Sequence, residues 1–69
     1  MNIYLAEAAA RMIEGAGECI SSLGDMIIDD VELREFVTIP MRIARVRDNI
    51  VKLETAIAAI EAVIQIGDT

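Results

Sequence analysis

The stretch from Ile43 to Ile64, IARVRDNIVKLETAIAAIEAVI, decides the fold. A series of its apolar residues recurs at alternating gaps of three and four: Ile43, Val46, Ile50, Leu53, Ile57, Ile60 and Ile64. On a helix this spacing draws one continuous apolar stripe, like the a and d positions of a coiled coil. Because such a stripe must pack against a partner, we expect the rest of the chain to supply a second helix.

A matching amphipathic segment covers residues 2 to 29. Its apolar stripe again has gaps of four and three: Leu5, Ala9, Met12, Ala16, Cys19, Leu23 and Met26. Ile13, Ile20 and Ile27 widen this stripe on one side. An acidic ridge falls on the opposite face of the same helix: Glu7, Glu14, Glu18, Asp25 and Asp29. The segment therefore predicts a long first helix that packs through its apolar face and exposes its acids.

Glycines within this first helix allow two interpretations. Each mid-helix glycine costs roughly 1 kcal/mol relative to alanine. Small residues line one further face of the helix: Ala10, Gly17, Ser21 and Gly24. Either another helix approaches this face closely, or the helix breaks at Gly24 and Asp25 caps a further turn. Since the apolar phase continues through Ile27, we expect a continuous helix.

The remaining boundaries complete a hairpin. Asp30 would place a carboxylate on the apolar face, so helix 1 should end near there, at about residue 29. Residues 30 to 38 should form a connection, partly as a short helical turn or as irregular chain. Proline is tolerated in a first helical turn, so Pro40 favours a second helix from residue 39 to about Ile66. The prediction is one domain, residues 1–69: an all-α antiparallel helical hairpin of two long helices that self-associates into a helical bundle.

Chain length favours self-association. A chain of 69 residues buries too little surface for a robust monomeric core, although 55% of these residues are apolar. The second helix also carries apolar residues away from its main stripe, and we expect them to form the oligomer interface: Val51, Ala58, Ala62 and Ile66. The plain alternative is that these scattered residues face solvent. A homo-oligomer is the expected state.

Catalytic motifs are absent from the sequence. There is no histidine, Cys-x-x-Cys pair, glycine-rich phosphate loop or Gly-x-Ser-x-Gly elbow. We therefore expect a protein that is not an enzyme and uses no cofactor and no metal. The single cysteine, Cys19, lies on the apolar side of helix 1 and is expected to be a small core residue.

Composition also restricts partners and compartment. A net charge of −6 disfavours binding to a nucleic-acid polymer, which requires a basic surface. Charged residues interrupt every window of 18 residues, so we expect no membrane span. One cysteine cannot form an internal disulfide, and no signal-peptide pattern opens the chain, which together favour a reducing, cytoplasmic location.

The charge layout has two interpretations. Acids concentrate before residue 36 and most basic residues lie between 42 and 52. In the first interpretation, four acids pair across the hairpin with Arg42, Arg45 and Arg47: Asp25, Asp29, Glu32 and Glu35. In the second, Arg42, Arg45 and Lys52 join the free N–H groups of a helix start in a site for a phosphate-bearing ligand.

A resemblance supports the ligand interpretation. Pro40-x-Arg42, followed by Lys52-Leu53-Glu54-x-Ala56-Ile57 and an Ala/Ile-rich end, resembles the last helix of the small phage anti-CBASS sponge proteins. Those anti-defence proteins are all-α oligomers that sequester cyclic oligonucleotides. The resemblance covers the second helix only. It implies phosphate contacts from the Arg42 region and base stacking on Tyr4.

Together these features predict a small non-enzymatic oligomeric binding protein. It would sequester a phosphate-bearing small ligand, such as a cyclic oligonucleotide, through Arg42, Arg45, Lys52 and Tyr4. The alternative is a protein–protein interaction module, an inhibitor or adaptor. That module would act through the acidic ridge of helix 1 or the apolar outer face of helix 2.

Overall fold

The computed structural model describes residues 2 to 67 as two long helices packed against each other. Helix α1 is Ile3–Glu32, a 3-10 turn covers Phe36–Thr38, and helix α2 is Ile39–Gly67. Residues 2 to 67 contain no strand. The Cα atoms occupy 54 × 14 × 12 Å, the dimensions of a rod. The predicted all-α helical hairpin is therefore confirmed.

Local signals in the sequence explain where the helices begin. Asn2 caps α1, because its side-chain Oδ1 accepts a hydrogen bond of 3.1 Å from the Leu5 N–H and its carbonyl accepts one of 3.1 Å from Ala6. Pro40 is the second residue of α2, where its missing N–H leaves no helical bond unmade. Helix α1 continues through Gly24 without a break.

The end of α1 lies slightly beyond the predicted position. Helix 1 was expected to end near Asp30, and the helix includes Asp30 and ends at Glu32. Arg34 then takes the left-handed conformation, with φ 57. The Glu35 N–H donates to the Asp30 carbonyl at 2.8 Å, and the Arg34 N–H donates to Val31 at 3.1 Å. These two bonds form a Schellman motif, in which glycine usually occupies the position held here by Arg34.

Small side chains form the centre of the contact between the helices. The buried apolar residues are Ala9, Ala16 and Leu23 of α1 and Ala56 and Val63 of α2. No large side chain within residues 2 to 67 is completely buried. Alanines at these positions let two helix backbones approach closely, but they remove little apolar area from water. The core of a single hairpin is accordingly narrow.

Four of the seven residues in the apolar stripe predicted on α2 lie outside this core. Val46, Leu53 and Ile60 are half-buried, as their place in the stripe predicts. The other members are 40% to 46% exposed, and we refer to them as the isoleucine ridge: Ile43, Ile50, Ile57 and Ile64. Asn49, Ala56 and Val63 occupy the facing positions instead. The assignment of the ridge to the hairpin seam was wrong because a helix with one neighbour buries only one narrow stripe.

Helix α1 also packs through part of its predicted stripe, on the side that Ile13, Ile20 and Ile27 widen, and these three residues are half-buried. Ala9, Ala16 and Leu23 of its predicted stripe are buried, whereas Leu5, Met12 and Met26 lie exposed beside the seam. Cys19 is exposed with them, so its expected role in the core is also wrong. Neither described helix contains an apolar run that meets the length and charge requirements of a membrane-spanning segment.

An ion pair joins the helices near the connection. The Arg42 Nε donates to Asp30 Oδ2, the Arg42 Nη2 lies 3.4 Å from Asp30 Oδ1, and the Arg42 Nη1 lies 3.0 Å from the Met26 sulfur. Asp30 is only 4% exposed. Of the three arginines predicted to pair across the hairpin, only Arg42 forms an ion pair with α1 among the described residues. Its partner is Asp30, which was not one of the four acids expected to pair. The pair explains why α1 tolerates an acid on its inner face.

Acidification should weaken the hairpin through Asp30. Hydrogen bonds from Arg42 hold the pKa of this carboxyl group below its ordinary value of 3.8, against the opposing effect of burial, and the Thr38 hydroxyl also lowers the pKa. The contribution of Asp30 to stability is therefore complete above about pH 3.8 and is lost as the pH falls through the lower pKa of the folded state. Urea unfolding followed by circular dichroism across this range measures the loss.

Two single variants isolate this effect. Asp30→Asn should lower the free energy of unfolding at neutral pH and flatten the acid limb of the stability profile. Asp29→Asn removes a neighbouring carboxylate that is exposed, so it should resemble the wild type in both respects. An unchanged acid limb in Asp30→Asn would contradict the role given to this pair.

Replacing Arg34 by glycine should stabilise the hairpin. A non-glycine residue in the left-handed region costs about 1 kcal/mol, and glycine relieves that cost. Arg34→Gly should therefore raise the free energy of unfolding by about 1 kcal/mol in urea titrations. Arg34→Ala is the control, because it removes the same guanidinium group but keeps the Cβ atom. Equal stability of the two variants would show that the backbone conformation is not the cause.

Candidate functional site

A groove runs between the helices on one flank of the hairpin. We call it the polar groove, and its volume is about 330 Å³. Four of its lining residues come from α1 and four from α2: Cys19, Ser22, Leu23, Met26, Arg45, Asp48, Asn49 and Lys52. Leu23 and Met26 supply apolar surface beside hydroxyl, thiol and amide groups. The groove can therefore accommodate a ligand that has both an apolar body and polar substituents.

Two cations border this groove. Arg45 and Lys52 are seven residues apart, so they lie on the same side of α2, about 10 Å apart along the helix. Asp48 lies between them in sequence, but among the described residues no carboxylate is within ion-pair distance of either cation. The groove thus has one more positive than negative charge in a chain whose net charge is −6. Locally, it favours an anion.

Asn49 organises the α2 side of the groove. Its side-chain nitrogen donates to the Arg45 carbonyl at 2.8 Å, and the residue is 9% exposed. This bond uses one of the two N–H donors of the amide and leaves the amide oxygen free to accept. Asn49 can therefore hold its orientation while it contacts a ligand polar group.

The four predicted ligand-binding residues do not form one group in a single chain. Arg45 and Lys52 meet at the polar groove. Arg42 is already bonded to Asp30 and Met26. Tyr4 is 86% exposed near the start of α1, roughly 40 Å of helix rise from Asp30 and its partner Arg42. The structure thus keeps Arg45 and Lys52 together, holds Arg42 in an ion pair beside them and places Tyr4 far from all three.

Several groove residues were not included in the predicted set. Ser22, Cys19 and Met26 reach the groove from α1, and Asp48 reaches it from α2. The register between the two helices brings them together, and a single sequence does not specify that register. The signal that was available is Asn49, a polar residue between Val46 and Leu53 on the inner side of α2.

The predicted oligomer interface lies on a different surface. Val51 is 59% exposed and Ile66 is 74% exposed, and Ala58 and Ala62 are also exposed. These residues lie on the outer face of α2, away from α1. Whether a second copy packs on this face stays a prediction.

No metal site accompanies the groove. Across residues 2 to 67, no cluster of three or more histidine, cysteine, aspartate or glutamate side chains is arranged to hold a metal ion. The chemistry of the groove is that of hydrogen bonding, one guanidinium group, one ammonium group, one carboxylate and apolar contact.

Comparison with known proteins adds no further assignment. No protein-family model, no curated protein and no solved structure matches this chain.

Proposed function

We propose that this protein is a non-catalytic binding protein that works as an oligomer of helical hairpins and sequesters a phosphate-bearing small ligand. The observation that carries the proposal is the polar groove, where Arg45 and Lys52 border an apolar surface without a carboxylate partner among the described residues. A cyclic oligonucleotide has the matching chemistry, since it joins anionic phosphates to flat bases.

The groove suggests how such a ligand would be held. An arginine can contact two oxygens of one phosphate through its planar guanidinium group, and Lys52 would act as a point charge on a second anionic group. Asn49 and Ser22 offer hydrogen bonds, and Met26 and Leu23 offer apolar contact for a base. In this proposal Arg42 is a positioning residue, because its bond to Asp30 fixes the helix register that brings the groove residues together.

Exposed surface area supports the oligomeric part of the proposal. A compact monomer of 7.5 kDa would expose about 4,200 Å², whereas this hairpin exposes 5252 Å². The surplus of roughly 1,000 Å² is close to the 800 Å² or so that each partner contributes to a standard protein interface. A narrow alanine-rich core and this surplus together favour burial of further surface by another chain.

A protein-interaction module is the second candidate function. It is supported by the apolar side chains that the hairpin leaves exposed on α2, above all Val51 and Ile66. In that case an inhibitor or adaptor would engage a partner helix through apolar contact. The polar groove would then have no small ligand to bind.

Calorimetry with a panel of cyclic di- and trinucleotides distinguishes the two functions. If the groove binds phosphate, the wild-type protein should release heat with at least one member of the panel. Arg45→Ala with Lys52→Ala should weaken that binding about 100-fold or more, because charge-assisted hydrogen bonds are worth roughly 1.5 to 3 kcal/mol each. The fold should persist, since neither side chain is buried.

Arg47→Ala is the matched control for this experiment. Arg47 is an exposed arginine of the same helix and does not line the groove, so its removal lowers the net charge by one unit, as Arg45→Ala alone does, but should preserve affinity. Weakening by Arg47→Ala equal to that by the single variant Arg45→Ala would indicate general electrostatic attraction instead of a site. Absence of heat with every member of the panel would favour the protein-interaction module.

A further inference from the structure

The flank of the hairpin opposite the polar groove combines two complementary surfaces. On α1, Gly17 and Gly24 lie on the other side of the seam from Cys19 and Met26, which line the groove. On α2, the isoleucine ridge lies on the other side of the seam from Arg45 and Lys52. The ridge and the small residues of α1 therefore share one flank. We call Ala10, Gly17 and Gly24 the small-residue stripe.

The glycines of this stripe have no role in packing within the hairpin. A Cβ atom added at Gly17 or Gly24 would meet no atom within 4 Å. Alanine would fit at both positions and would favour the helix. Contacts with α2 therefore do not explain why these two positions lack side chains. Because they lack side chains, the surface of α1 forms a shallow channel beside the ridge.

The ridge and the stripe lie at nearly the same positions along the long axis of the hairpin. Gly24 precedes Asp30 by six residues, and Ile50 follows its partner Arg42 by eight, so the two lie within about 3 Å in height. The same offset relates Gly17 to Ile57 and Ala10 to Ile64. Side chains on a helix lean toward its N-terminus, which reduces this offset further for the isoleucines.

We propose that a second copy of this chain docks on this flank, with the isoleucine ridge of each copy in the small-residue stripe of the other. With a two-fold axis parallel to the helices, each residue has the same position along that axis in both copies. This arrangement therefore brings Ile57 of one copy to Gly17 of the other and Ile50 to Gly24. The result is an antiparallel four-helix bundle. The proposal rests on the self-association proposed above and specifies its surface.

Area and charge favour this flank over the other exposed surfaces. Docking here involves both helices of each copy, which suits the surplus of roughly 1,000 Å² described above. The outer face of α2 offers only one helix. The opposite flank would place Arg45 and Lys52 at the interface, where each cation would lose its water. The ridge and the stripe contain no charged residue.

Acidic residues border the docking flank and oppose association. Glu7 and Glu14 lie beside the stripe on α1, and Glu54 and Glu61 lie beside the ridge on α2, where Arg47 is the one cation at the same heptad position. In the two-fold arrangement, the acids of α1 in one copy run next to those of α2 in the other. Their repulsion is screened at physiological ionic strength, where the Debye length is about 8 Å. Sedimentation should therefore be measured at that ionic strength.

Replacing the two glycines by leucine tests the proposal. Gly17→Leu with Gly24→Leu should fill the channel and raise the dimer Kd about tenfold or more, because the ridge can no longer approach. Helicity of the monomer should not fall, since leucine favours the helix more than glycine does. Analytical ultracentrifugation measures Kd, and circular dichroism measures helicity.

Gly15 provides the matched control. It is a third glycine of the same helix with no atom near an added Cβ, and it lies outside the stripe. Gly15→Leu should therefore leave the dimer Kd unchanged. Ile57→Asp gives an independent check from α2: it should abolish the dimer and keep the monomer helical, because Ile57 is exposed in the hairpin.

Three outcomes would overturn the proposal. A double-leucine variant with the wild-type Kd would show that the flank is not the interface. Dissociation by Ala58→Glu with Ala62→Glu, but not by the double-leucine variant, would place the interface on the outer face of α2 and retain self-association. If the wild-type protein stays monomeric at every accessible concentration, the proposal of self-association is wrong. The flank would then be free to bind a different protein.

Discussion

A helix that packs against a single neighbour can bury only one narrow stripe of side chains, and this constraint governs the whole molecule. In α1 the stripe runs through alanines and one leucine, and in α2 through Asn49, Ala56 and Val63. Val46, Leu53 and Ile60 are half-buried at the edge of this stripe, whereas Ile50 and Ile57 are left on one flank. The polar groove and the isoleucine ridge are consequences of this single narrow contact.

The sequence predicted the elements better than the faces they present. Alternating gaps of three and four residues identified two long helices, and Pro40 marked the start of the second. The same spacing allowed two adjacent stripes on α2, one with Ile50 and Ile57 and one with Asn49 and Ala56. The isoleucines were assigned to the seam because their spacing is unbroken over three heptads. Val46, Leu53 and Ile60 belong to both stripes and are half-buried, so spacing alone does not decide which of the two stripes faces α1.

Asp30 illustrates a second limit of prediction from sequence. A carboxylate on an apolar helical face indicates a helix end when no partner is known. Its partner, Arg42, comes from the other helix, and only the register of the hairpin reveals the pair. Likewise, only part of the candidate site could be predicted from sequence. Arg45 and Lys52 could be named from α2 alone, whereas Ser22 and Cys19 depended on what α1 placed opposite them.

The ion pair near the connection also has a consequence for the order of folding. Asp30 and Arg42 are close in sequence, so bringing them together closes a short loop and costs little chain entropy. Contacts such as Ala9 with the facing end of α2 require most of the chain to be ordered first. We therefore expect the helices to pair first near the connection and then progressively toward the open end. Local contacts of this kind are typical of fast-folding helical proteins. The open end, with Tyr4 exposed on its surface, would then be the last part to form and the first to separate.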